Sequence, residues 1–169
     1  MQNIIHSALR LLQFLLVLLT TALIGNVIAT NWGAAGSAKA AVNFIMFVCA
    51  LSWIAVLYGL ISHFVSAAAM PIVALALDAA ATLFTFIGAV VLSAKLTAVN
   101  CGSNFHNKPS DWVAFGGNDT EKHCREIQAS VVFLWFLFAA FAASLFFAFK
   151  AFRGRGGSMG RPSMSQVGV

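Results

Sequence analysis

Residues 131–149 read VVFLWFLFAAFAASLFFAF, a run without one charged side chain. At 1.5 Å of rise per residue a helix over this stretch is about 28 Å long, close to the roughly 30 Å hydrocarbon thickness of a bilayer. Working outward, three further stretches have the same character, at about 4–28, 41–64 and 70–94, and the first run extends to about 127–149. Four transmembrane helices are therefore predicted. Composition agrees: 60% of the chain is apolar and 9% charged, against about 25% charged in soluble domains. A globule of 169 residues has too little interior to bury so much apolar surface. The fold class is an all-α membrane protein, a four-transmembrane-helix bundle over residues 1–152, with a basic tail at 153–169. Arg10 ahead of an apolar run resembles a signal peptide, but the run is long and no clean small-x-small site ends it, so a retained helix is expected.

Four spans put both termini on one side. The segment after Phe149 carries Lys150, Arg153, Arg155 and Arg161 with no acid, which suits a cytoplasmic face against the anionic inner leaflet. The long link at about 95–126 holds as many cations, Lys95, Lys108, Lys122 and Arg125, so the count of positive charges does not decide the orientation alone. Two of the three cysteines, Cys101 and Cys124, and the sequon Asn118-Asp119-Thr120 lie in that link. Both features belong outside the cytosol, and they place the long loop outside and both termini in the cytoplasm. A Cys101–Cys124 disulfide is the favoured pairing; zinc held by Cys101, His106, His123 and Cys124 matches no standard finger spacing, and free thiols are the third option. Cys49 falls inside a span and reads as a small core residue. Ser158, Ser163 and Ser165 among the tail cations are candidate phosphorylation sites, each able to weaken attraction to lipid by adding negative charge. The tail is short and lacks interleaved aromatics, which argues against nucleic acid as a partner.

Asp78 stands inside the third span. Lipid offers its oxygens no partner, so it is expected to face the bundle interior with a group from another span. Arg10, Gln13, Tyr58 and Ser144 reach similar depth, and the five residues form a candidate polar cluster in the cytoplasmic half. Tyr58 and Arg10 are the named partners of Asp78. A structural knot that sets helix register and a proton or ion relay are the two roles open to such a cluster; the knot is favoured because the other half offers only Asn26, Asn43 and hydroxyls such as Thr85. Trp32 and Trp112, outside the spans, suit interfacial anchors.

No His-Glu-x-x-His, phosphate loop or Cys-x-x-Cys pair occurs, so neither catalysis nor a cofactor is expected. A small four-helix channel or transporter is the alternative function, disfavoured because the halves show no repeat and Pro71 stands at a span start, where proline is tolerated.

Four spans, a short link and a long loop with a cysteine near each end resemble the MARVEL-type tetraspan architecture. MPIVALALDAAATLFTFIGAVVL at 70–92, Cys101, CREIQASVVFLWF at 124–136 and the final QVGV are similar to the fungal non-classical export protein family of plasma-membrane tetraspans. The tail orders its pieces differently from that family. The resemblance implies a non-enzymatic organiser of plasma-membrane microdomains of the eisosome type, binding or sensing lipids such as sphingolipids. It further implies eisosome-type scaffold proteins as partners, and the Phe-rich face of the fourth span suits contact with lipid tails or with another copy of the chain in a homo-oligomer.

Overall fold

The computed structural model of the chain describes residues 2–31, 33–64, 70–102, 105 and 107–156. Within these residues it is all-helical, with α1 Gln2–Thr30, α2 Gly36–Phe64, α3 Pro71–Leu96 and α4 Thr120–Gly156. Each element contains a segment of at least 25 residues long and apolar enough to cross a membrane, about 38 Å of helix where about 30 Å suffices.

Local chemistry sets the helix ends. Asn31 ends α1 and turns the chain, its side-chain oxygen accepting the Ala34 N–H at 3.1 Å, a turn that Asn forms readily. Met70 is extended, and Pro71 opens α3, where a missing N–H leaves nothing unsatisfied. Thr97 stops α3 at φ 61°, an uncommon conformation for a residue with a Cβ, held by its N–H on Ser93 O and by Lys108 Nζ on its hydroxyl.

The fourth helix departs most from the expected span. It begins at Thr120, seven residues earlier than about 127, and runs to Gly156, carrying Lys150, Arg153 and Arg155 as helix rather than tail. Asp119 caps it by accepting the Lys122 N–H at 2.9 Å. Glu121 stands in the first turn, and Arg125–Glu121 and Lys122–Glu126 pair across one turn. An apolar scan misses this amphipathic extension because these charges help the helix without raising its hydropathy.

The helices form a ring in which each packs against its two neighbours: α1 on α2, α2 on α3, α3 on α4 and α4 on α1. Side-chain pairs fix the directions. Arg10 near the start of α1 meets Asp78 near the start of α3, and Gln13 meets Ser144 near the end of α4. At the opposite end, Thr30 meets His123 and Lys95 meets Ser37. Neighbouring helices are therefore antiparallel, and the start of α1 and the end of α4 lie at the Arg10 end. The axis is filled by fully buried Ile24, Ile45, Leu92, Leu134, Leu137 and Phe141. Leu11, Leu15, Phe47, Ile54, Leu83 and Phe136 instead stand exposed around the outside, as required of helices whose outer faces meet acyl chains.

The 97–119 segment folds over the far end of the bundle. Trp112, expected as an interfacial anchor, is instead only 2% exposed, with its indole N–H donated to Leu96 O at 2.9 Å. Its ring packs between Phe105 and Phe115. This small aromatic core in a loop gives the indole both an apolar setting and an acceptor. Asn31 bridges to Gly117, and Gly33 N–H bonds Gly116 O at 2.9 Å, which ties the loop to the α1–α2 turn. Trp32, His106, Arg161, Ser158, Ser163 and Ser165 lie outside the described residues.

Candidate functional site

Three of the five proposed polar residues surround Asp78 as a connected chain. Arg10 grips the carboxylate with both terminal nitrogens, at 2.7 Å to Oδ1 and 2.6 Å to Oδ2, a bidentate arrangement that fixes both side chains. The same guanidinium donates to Gln13 Oε1 at 3.0 Å. Gln13 then donates to Ala140 O at 3.0 Å and to Ser144 Oγ at 2.8 Å. One network thus links α3 to α1 and α1 to α4. Asp78 is 1% exposed, so the pair is formed away from bulk water.

Tyr58 requires a correction. Its hydroxyl engages the backbone of Met70, accepting the N–H at 3.3 Å and donating to the carbonyl at 3.4 Å, and Asp78 takes its hydrogen bonds from Arg10 instead. The reason is rotational. Residues on a helix are separated by about 100°, and it is the next residue, Gly59, that faces the cluster. A Cβ on Gly59 would stand 2.5 Å from Arg10 Cζ, so the guanidinium occupies the space a side chain would need. The contribution of α2 is a missing side chain, a signal that a search for polar residues cannot find. A cavity of about 270 Å³ adjoins the pair, bordered by His6, Ser7, Arg10, Gly59, Asp78 and Ser144 among others.

A second polar group lies at the loop end, and the sequence reading missed it. Asn26 donates to Glu126 Oε1 at 2.6 Å. Thr30 donates its hydroxyl hydrogen to Asn26 O at 2.7 Å, and it also lies 2.7 Å from His123 Nε2. Because that hydrogen is already used, Nε2 must carry a hydrogen and donate to Thr30. Glu126 and His123 looked like loop residues because their positions precede the apolar run; the early start of α4 turns them inward onto α1. Gly117 lies flat on the imidazole, where any Cβ would collide with the ring. His123 Nδ1 and Glu126 Oε2 are buried with no hydrogen-bond partner among the described residues.

Between the two groups, mid-span hydroxyls turn back on their own helices: Thr20 to Leu16 O, Ser52 to Val48 O and Thr85 to Ala81 O. This satisfies each hydroxyl locally. Cys101 and Cys124 are disulfide-bonded with Cα atoms 5.6 Å apart, joining the start of the loop to the first turns of α4. Cys49 is free and buried. No cluster of three metal-ligating side chains occurs among the described residues. Asn118 is exposed, one residue before the α4 cap. At the α2–α3 edge, the Ser37 hydroxyl donating to Asp111, with Lys95 beside it, holds the Asp111 carboxyl below its ordinary 3.8.

Comparison with known proteins agrees with this architecture. Residues 3–147 match the MARVEL membrane-associating domain. The chain is 30% identical to "Non-classical export protein 2" of Saccharomyces cerevisiae (strain ATCC 204508 / S288c), over 95% of this chain and 96% of the yeast protein. No solved structure matches it. A four-helix bundle with apolar outer surfaces, matched by that domain over residues 3–147, identifies the chain as a multi-pass membrane protein of the MARVEL family, related to the fungal non-classical export proteins.

Proposed function

We propose that the protein is a non-enzymatic organiser of plasma-membrane microdomains of the eisosome type, acting by binding or sensing lipids such as sphingolipids. The observation that carries this reading is the filled bundle. Apolar side chains occupy the axis between the two polar groups, and the hydroxyls at that depth are satisfied within their own helices. A channel or transporter needs polar or irregular backbone lining a path at the midplane. Here the buried polar network fixes helix register, and the large apolar outer faces are left to meet lipid and other membrane proteins, eisosome-type scaffolds and further copies of the chain among them.

In this reading the Arg10 end is cytoplasmic and the disulfide-bonded loop lies outside, where such bonds persist and Asn118 can accept a glycan. In the same reading the cations after Phe149, Lys150, Arg153, Arg155 and Arg161, favour the anionic inner leaflet, and phosphorylation at Ser158, Ser163 or Ser165 weakens that attraction. The test is the cortical distribution of a tagged chain, with and without sphingolipid depletion. A patchy pattern that disperses on depletion supports the organiser. An even pattern indifferent to depletion, together with solute or ion flux through liposomes containing the chain, supports a transporter instead.

A further inference from the structure

A groove of about 480 Å³ opens on the outer face between α3 and α4, bordered by Leu75 and Ala79 on one side and Ala142, Phe146 and Phe149 on the other. Its volume is in the range of small-molecule sites. The two alanines leave space where larger side chains would fill the seam, and Phe146 and Phe149 stand exposed along its rim. The α4 stripe continues past the groove at the same helical spacing, from Phe146 to Lys150 and from Phe149 to Arg153, each four residues on and so on the same face. Arg153 lies over the Phe149 ring, 5.7 Å from its centroid, and both cations are exposed.

Charge bookkeeping then singles out the occupant. The chain has five acidic side chains. Asp111, Asp119, Glu121 and Glu126 belong to the loop end, and Asp78 is gripped by Arg10. No acidic side chain of the chain is left to neutralise Lys150 and Arg153, so their counter-charge must come from outside. An apolar trough that ends at two such cations matches an amphiphile with an anionic head.

We propose that this groove binds one anionic glycerophospholipid of the phosphatidylserine kind, with an acyl chain along Ala79 and Ala142 and the net negative charge of the head balanced by Lys150 and Arg153. The site rests on the lipid-organising reading above and gives it a location.

The full-length chain is reconstituted in nanodiscs of phosphatidylcholine containing a trace of phosphatidylserine or phosphatidylcholine with a photoreactive group in the acyl chain, and labelled peptides are mapped by mass spectrometry. Nanodiscs expose both leaflets alike, so the result does not depend on orientation. Labelling within 142–149 is expected to favour the serine lipid roughly thirtyfold, the scale that two near-surface cations supply. Lys150→Gln with Arg153→Gln should bring that ratio to about one while leaving phosphatidylcholine labelling unchanged, since neither side chain is in the packed core. Ala142→Trp should remove labelling of the groove by both probes. Equal labelling by the two lipids in the unsubstituted chain, or a preference untouched by the double substitution, overturns the site. Cortical clustering of the same chains reports the organising role separately. A chain that clusters yet labels without preference overturns the groove alone, whereas selective labelling in a chain that does not cluster supports the groove and removes the organiser.

Discussion

Replacing Asp78 with Leu strips Arg10 of its counter-charge inside the bundle. The side chain of the acid is 2% exposed and that of the base 14%. Removing one partner of a buried ion pair in a soluble protein costs about 3–5 kcal/mol, because the other charge stays behind. A single polar contact between transmembrane helices averages only about 0.6 kcal/mol and peaks near about 1.7. The Arg10–Asp78 contact is bidentate, so two such contacts go at once, and among the described residues the guanidinium keeps its bond to Gln13. The adjoining cavity gives that stranded charge access to water, which pulls the loss to the lower end of the soluble range. The expected cost of Asp78→Leu is about 3 kcal/mol, somewhat over a hundredfold in the folding equilibrium. Asp78→Asn keeps the shape and one acceptor and should cost about 1 kcal/mol. In the double substitution Arg10→Leu with Asp78→Leu no charge is left behind, and about 2 kcal/mol of the loss should return as coupling. Reversible unfolding in bicelles, followed by steric trapping, measures all four corners of this cycle. A double variant no more stable than Asp78→Leu alone would refute the ion pair as the organising contact, and so would a single-variant loss below about 0.5 kcal/mol, the level of an ordinary surface change.

Gly59→Ala places a methyl group into the space held by the Arg10 guanidinium and should cost about 1–3 kcal/mol by overpacking; in the Arg10→Leu background the same change should be nearly neutral in the unfolding assay. Breaking the Cys101–Cys124 link, whose members are 23 apart in sequence, should cost about 3 kcal/mol on the chain-entropy account; an impermeant maleimide should label neither cysteine on intact cells until a reductant is added, and prompt labelling without one contradicts the bond. Protease added outside sealed cells should leave a C-terminal tag intact; loss of the tag reverses the proposed orientation. Because the folded Asp111 carboxyl lies below its ordinary 3.8, the Ser37–Asp111 contact is present above that value and is lost as pH falls through the folded one. Ser37→Ala removes the first cause of the shift, so an NMR titration of Asp111 should move to higher pH; an unmoved titration rejects Ser37 as the cause.

The four spans, their order and the need for Asp78 to find a partner inside the bundle were legible in the residues themselves. Long apolar runs admit one solvent, and an acid within such a run must be satisfied by protein. Arg10, Gln13 and Ser144 could be named because each is a polar residue at matching depth on another span. Depth is nearly linear in residue number along a helix, but azimuth is not: an error of one position turns a side chain through about 100°. That is why depth alone points to Tyr58 as a partner while its neighbour Gly59 faces Arg10, and why a residue that acts by having no side chain gives no signal in the sequence. The Asn26–Glu126 and Thr30–His123 contacts were hidden for a related reason. Charges bounded the apolar run, whereas a capped helix continues through them and carries Glu126 and His123 onto α1. Composition and periodicity, which are properties of single segments, determined that the chain crosses the membrane four times. Which faces meet, which side chains fill the space left by a glycine, and how the loop seats on the bundle depend on pairs of segments distant in sequence, and only tertiary packing decides those.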